Sequence, residues 1–218
     1  MDLPFLWTPP SSGNSVVSLM SGEASTLLDE APAYHGIEGN QHLQQPYVYK
    51  GVFNAEQCAV IRAIGRSLPI WNGRSTSEDD DYRVCKTSWI EEGDASRFIF
   101  ERIRAVARSA NKLYHLETAG FAEPLHYIEY DVGGVFEWHT DLGGGPMSTR
   151  KLSISIQLSD DEAYSGGDLE LCPHGVISDF RGLGNAIVFP AYIPHRVLPV
   201  TSGMRHALVA WIHGKAFR

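Results

Sequence analysis

A chain of 218 residues, 43% hydrophobic and 20% charged, has the make-up of one globular domain with a substantial core. Its formal net charge of -8 at pH 7 and sequence pI near 5.5 exclude a general nucleic-acid or anionic-membrane surface, because phosphate groups are bound by clustered Lys and Arg. Cys58, Cys85 and Cys172 form no CxxC pair, the start of the chain shows no basic-then-apolar leader, and no run of about 18 uncharged apolar residues occurs, so the expectation is a soluble cytoplasmic protein without disulfides, thiolate zinc or a membrane span.

Residues 1–45 mix Pro, Ser, Gly and His with a weak apolar pattern and read as an N-terminal arm; the domain proper is expected over 46–218. YVYKGVF, Tyr47 to Phe53, has strand character, and Asn54 with Gln57 three residues on predicts an N-capped helix running to about Arg66. RSTSEDDDY is read as a solvated loop, with a mobile lid as the lesser alternative. Ile99, Ile103, Val106 and Ala110 recur at helical intervals, predicting an amphipathic helix over Ala95 to Lys112 laid against a sheet. Helical support thus occupies 54–112. From Pro124 the segments LHYIEY, KLSISIQLS, DLELC, VISDF, NAIVFP, HRVLPV and RHALVAWIH follow one another as short strands, so 124–215 should build a sandwich, jelly roll or barrel.

Chemistry concentrates in FEWHTDLGGGP, Phe136 to Pro146. In an extended strand residues i and i+2 share a face, so His139 and Asp141 could grip one ion, with His195 after the turn-forming Pro194 as a third ligand. Two His and one carboxylate on one face of a metal, the other face open, is the arrangement of non-haem Fe(II) oxygenases. A lone histidine is more often a core or surface residue than a ligand, and a bare HxD is a weak signal. Arg205, ten residues after His195, strengthens it: an arginine pointing into a barrel must find an anion, and its planar fork suits a carboxylate.

These residues resemble the Fe(II)- and 2-oxoglutarate-dependent dioxygenases, in particular the prolyl-4-hydroxylase-like branch that includes the PKHD-type hydroxylases. The likeness runs through RVCKTSWI, EYDVGGVFEWHTD, RKLSISIQLSDDEAYSGGDLEL and NAIVFPAYIPHRVLPVTSGMRHALVAWIHG, over roughly residues 83–218. It implies a mainly β fold with flanking helices and a double-stranded β-helix (jelly roll, cupin-like) core. His139, Asp141 and His195 would hold Fe(II), Arg205 would pair with the distal carboxylate of 2-oxoglutarate, Tyr130 would donate its phenol to that carboxylate, and Gln157 would stand on the co-substrate wall. Arg150 matches a position that binds substrate in some prolyl hydroxylases. A tyrosine that some of them carry three residues before the first iron histidine is here Phe136, which leaves more to Tyr130.

Since related halogenases replace the carboxylate ligand with a small residue, Asp141 favours hydroxylation. The implied reaction oxidises an unactivated C–H bond while 2-oxoglutarate and O2 yield succinate and CO2, with ascorbate as reductant. By family analogy the substrate is a prolyl or other amino-acid residue, in a peptide or a small molecule. Trp211 shares a strand face with Arg205, so an indole is expected near the cavity as core or substrate contact. Asp168, His126, His206, His213 and Trp89 are read as structural, and the glycines of SGGDLEL and GLGN as turns. The competing readings are a catalytically silent jelly-roll metal-binding or sensor module, and a metal hydrolase that would leave Arg205 without a role.

Overall fold

The computed structural model describes residues 39–73 and 82–217; most of the arm expected over 1–45, and the acidic stretch at 74–81, lie outside them. Contacts divide the chain after Asn40, and every strand and helix among the described residues belongs to the unit Gln41–Arg218. After a 3-10 turn at Gln41–Gln44 come β1 (Tyr47–Tyr49), α1 (Ala55–Ser67), β2 (Trp71–Gly73), β3 (Arg83–Ile90) and α2 (Arg97–Tyr114). The rest is almost all strand: β4 (Leu125–Tyr130), β5 (Val135–His139), β6 (Arg150–Gln157), β7 (Tyr164–Gly166), β8 (Leu169–Leu171), β9 (Gly175–Val176), β10 (Ala186–Pro190), β11 (His195–Val197), β12 (Val200–Gly203) and β13 (Arg205–His213). Among the described residues no helix is long and apolar enough to cross a membrane.

The strands form an antiparallel jelly roll. One sheet runs β1-β10-β6-β13-β4-β3-β5-β11-β8-β9 with β2 attached to β3, and β12 pairs separately with β7. The curl is made by β3, whose residues Lys86 to Ile90 pair with β4 while Arg83 and Val84 pair with β5. One strand thereby serves both layers, and the space between them becomes a cavity.

The helices cover the outer face of one layer. α1 starts at the expected capping box, with Asn54 Oδ1 accepting from the Gln57 amide and Gln57 Oε1 accepting from the Asn54 amide. Near its end Gly65 lets the helix sit on the Tyr127 ring, where any Cβ would overlap the aromatic carbons, and its carbonyl accepts from Ser88 Oγ at 2.7 Å. α2 begins and ends two residues later than the apolar pattern predicts and stops at His115 in the left-handed region. Its Ile99 and Ile103 are fully buried, a contribution of about 1.5–3 kcal/mol each.

Three expected strands are cut short. YVYKGVF keeps only its first three residues, because Lys50 and Gly51 turn the chain with Gly51 at φ 62°. VISDF retains a strand only at Val176 before a 3-10 turn over Ser178–Phe180 buries Phe180. HRVLPV divides around Leu198 and Pro199, and the residues beyond leave to pair with β7.

Strand parity separates core from cavity. On β6 Leu152, Ile154 and Ile156 join the cluster beneath the helices, whereas Ser153 and Ser155 line the cavity. On β13 Leu208, Ala210 and Ile212 face the helices, while Arg205, Ala207, Val209 and Trp211 line the cavity. His206 follows the outward parity into a polar group beneath α1 with Arg66, Glu129 and Ser159.

Candidate active site

The strand ends at His139, so Asp141 is not placed by strand alternation, as the i, i+2 argument supposed. Instead the Asp141 and Leu142 amides both donate to the Ala191 carbonyl, at 3.0 and 2.9 Å, and the turn aims the carboxylate back toward β5. β11 lies antiparallel to β5 with His195 directly opposite His139. The three side chains therefore meet: one ligand atom from each lies within 4.8 Å of the others, a group that could hold one metal ion.

Both imidazoles are oriented by their own strands. His139 Nδ1 donates to the Glu137 carbonyl at 2.7 Å and His195 Nδ1 to the Ile193 carbonyl at 3.0 Å. Each Nε2 is left as an acceptor facing Asp141, at 3.9 Å for His139 and 3.6 Å for His195. Fixing the ring through its second nitrogen is how proteins orient metal-binding histidines. Ser153 Oγ donates to Asp141 Oδ2 at 2.5 Å from the facing strand β6.

Electrostatics agree with that geometry. Burial and the neighbouring His195 push the His139 imidazolium down to about 3. Burial alone would raise Asp141, but His195, His139 and the Ser153 hydrogen bond outweigh it and hold the carboxyl below its usual range. Near neutral pH the set thus offers a neutral imidazole and a carboxylate, the protonation states that bind a cation. Two nitrogens and one carboxylate on a single face, with space beyond, suit non-haem Fe(II).

That space is a cavity of about 450 Å³ between the layers. At one side Arg205 is only 2% exposed and has no acid partner among the described residues. It lies opposite Tyr130 in the β13–β4 pairing, with its guanidinium carbon 5.4 Å from the tyrosine ring centre. Gly167, at φ 63°, gives the arginine stem room: a Cβ there would lie 3.1 Å from Arg205 Cδ. Burial, followed by nearby Cys85, raises the Tyr130 phenol well above its ordinary range, so it stays a hydrogen-bond donor. A buried cation and a phenol facing a polar-ended cavity fit the far carboxylate of a diacid.

Other expected positions fall differently. Gln157 does not line the cavity: it is buried deeper on β6, donating to the Tyr164 hydroxyl at 2.6 Å, and Ser153 and Ser155 form that part of the wall. Arg150 and Trp211 both line it, but Arg150 is engaged. Its Nε and Nη2 each reach Glu123 at 2.7 Å, Nη1 donates to the Asp141 carbonyl at 3.3 Å, and the guanidinium lies 3.7 Å over the Trp211 ring. Phe136 stacks on His139 with centroids 3.5 Å apart. Asp168 pairs with Arg181 at 2.5 Å, which accounts for it structurally.

Arg83, His126, Trp89 and Glu123 escaped the sequence reading as site residues. Parity along LHYIEY could have found His126, which shares the cavity face with Ile128 and Tyr130. Glu123 gave no signal, because it lies outside any strand.

Residues 125–213 match the family described as the 2OG-Fe(II) oxygenase superfamily. A PKHD-type hydroxylase of Methylobacterium nodulans is 32% identical over 176 residues, 73% of this chain and 74% of the relative. PKHD-type hydroxylase tll1907 of Thermosynechococcus vestitus is 33% identical over 129 residues, and the match spans 56% of this chain and 57% of that protein. A prolyl-4-hydroxylase of Pseudomonas putida has the same fold, with a TM-score of 0.64 at 19% identity over 78% of this chain and 93% of the other. The chain belongs to the 2OG-Fe(II) oxygenase superfamily and is a 2-oxoglutarate-dependent dioxygenase. Within it the chain falls in the branch of the PKHD-type hydroxylases.

Proposed function

We propose that the protein hydroxylates an unactivated C–H bond of an amino-acid residue, prolyl or other, in a peptide or as a free molecule. His139, Asp141 and His195 would hold Fe(II), and Arg205 with Tyr130 would bind the distal carboxylate of 2-oxoglutarate. The observation that carries this reading is the buried Arg205 guanidinium without a counter-ion among the described residues, in the same cavity as the two free Nε2 atoms. Bound Fe(II) and 2-oxoglutarate supply the oxidising chemistry, in which O2 is consumed, 2-oxoglutarate is decarboxylated to succinate and CO2, and one oxygen atom enters the substrate.

The protein's part is positional. Arg205 and Tyr130 fix one end of the co-substrate, so its other end can reach the metal in only one orientation. Ser153 donates to Asp141 and so helps to fix the direction of its carboxylate. Trp89, His126 and Trp211, stacked in sequence along one wall, offer an aromatic surface against which a substrate would pack. The prolyl character of the substrate is supported by the neighbouring P. putida prolyl-4-hydroxylase. The unpaired thiols of Cys58, Cys85 and Cys172 support a reducing, cytoplasmic setting.

Succinate release with Fe(II), 2-oxoglutarate and ascorbate, followed without added substrate, tests the reading. Slow uncoupled turnover is expected, together with an absorbance band that the anaerobic Fe(II) protein develops only with 2-oxoglutarate. Absence of both would favour a silent metal-binding module.

A further inference from the structure

Three arginines line the cavity, and they differ in what neutralises them. Arg205 faces the position proposed for the distal carboxylate of 2-oxoglutarate. Arg150 is already matched by a bidentate pair with Glu123. Arg83, on the segment of β3 that crosses from one layer to the other, has no acid partner among the described residues.

Its contacts are with neutral groups. Nε donates to Cys85 Sγ at 3.2 Å, and Nη2 lies 3.2 Å from His126 Nε2. Burial pushes the Cys85 thiol up, so it stays protonated and offers no negative charge. The guanidinium carbon lies 4.8 Å over the Phe136 ring, and that ring is stacked flat on His139. Among the described residues this half-buried guanidinium is held by a thiol, an imidazole and an aromatic face and meets no strong acceptor. A carboxylate entering the cavity would supply one, in the planar geometry the fork favours.

The location matters as much as the charge. Arg83 is separated from His139 by the thickness of one phenyl ring, while His126 beside it is stacked on Trp89 at 4.2 Å between ring centres. A carboxylate on Arg83 would lay the attached carbon skeleton between the Trp89–His126–Trp211 wall and the open face of the His139, Asp141 and His195 group. We propose that Arg83 anchors a carboxylate carried by the substrate, so that the oxidised carbon lies near an acidic group. That group is either the α-carboxylate of a free or C-terminal amino acid, or an Asp or Glu side chain of a peptide. The proposal deepens the function given above and rests on it for the positions of metal and co-substrate.

The test uses the anaerobic protein loaded with Fe(II) and saturating 2-oxoglutarate, its absorbance band recorded before any probe is added. Two matched pairs are then titrated by calorimetry: N-acetylproline against N-acetylprolinamide, and amidated N-acetyl-Pro-Asp against its Pro-Asn counterpart. In one pair the acid should bind at least about tenfold more tightly than the amide, the scale of a charged hydrogen bond, and which pair does so names the source of the carboxylate. Arg83→Gln should level that pair, Arg83→Lys should keep part of the preference, and both should bind 2-oxoglutarate as the wild type does. The proposal is overturned if the wild type prefers neither acid, if the preference survives in Arg83→Gln, or if that variant loses 2-oxoglutarate. A wild type without the band counts against the oxygenase reading instead, and calorimetry on that protein still reports whether Arg83 selects the acid.

Discussion

Arg205 stands directly across the β13–β4 pairing from Tyr130, and its buried guanidinium has no carboxylate partner among the described residues. An ion left unpaired in the interior costs stability unless a ligand neutralises it, so the two properties are linked. Arg205→Met is expected to weaken 2-oxoglutarate binding about ten- to a hundredfold, the range of a hydrogen bond to a charged group. The same variant without ligand should melt no lower than wild type, and a given concentration of 2-oxoglutarate should raise its melting temperature less than that of the wild type. Thermal melts with and without co-substrate check both halves.

Ser153 donates to Asp141 from the opposite layer and is the nearest support of the carboxylate. Ser153→Ala should lower Fe(II) affinity about ten- to a hundredfold while leaving the fold intact, since groups behind a metal ligand have effects of this size. Asp141→Ala should abolish stoichiometric binding. Titration of the metal-free protein with Fe(II) under nitrogen, or with Co(II) as a spectroscopic stand-in, distinguishes the two.

Glu123 neutralises Arg150, which in turn donates to the Asp141 carbonyl and covers Trp211. Side-chain exposures of 11% for Arg150 and 21% for Glu123 leave part of the pair open to solvent screening. Glu123→Gln should therefore cost about 2–3 kcal/mol, below the loss expected when a fully buried pair is broken. Replacing both, as Glu123→Gln with Arg150→Met, should recover much of that loss. Urea unfolding of the four proteins forms the cycle; additive losses would show that the pair is not coupled.

His206 sets a pH dependence away from the site. Burial, then the Arg66 charge beside it, lowers its pKa to about 4; Arg62 acts the same way, while Glu129 and Asp131 oppose them. The unfolded chain takes up the proton near pH 6.5 and the folded chain only near 4, so stability is held above that window and falls as pH drops through it. This residue contributes up to about 3 kcal/mol of that fall, at no more than about 1.4 kcal/mol per pH unit. His206→Gln should flatten the decline in urea midpoint between pH 6.5 and 4, and an unchanged slope would remove His206 as its source.

Gly65 tests the helix seat. Gly65→Ala would normally favour a helix by about 1 kcal/mol, yet here the methyl meets the Tyr127 ring, so a net loss is expected from overpacking. Lowered thermal stability with unchanged metal binding would separate this contact from the site.

A capping pair made α1 legible, apolar periodicity made α2 so, and β-rich segments between Gly and Pro turns marked most of the strands. β4 and β13 were readable to the residue, since LHYIEY and RHALVAWIH are unbroken strands bounded by turns. Strand ends were less so: Gly51 and Pro199 stop pairing through backbone chemistry that an apolar count does not register. Within the site, the spacing of His139, Asp141, His195 and Arg205 drew attention to them, and Tyr130 came from the family resemblance. Glu123, Arg83 and Ser153 could not, as their roles come from which strands the roll sets face to face. Gln157 illustrates the same limit, for the resemblance put it on the co-substrate wall and the fold buries it against Tyr164.

β13 carries the helix-facing Leu208, Ala210 and Ile212 alternately with the cavity-facing Arg205, Ala207, Val209 and Trp211. Sliding that strand by a single position would drive Leu208 into the pocket and force the guanidinium against the helices. Catalytic geometry and core packing are thus set by one alignment, so a chain that settles into the wrong pairing should lose both together.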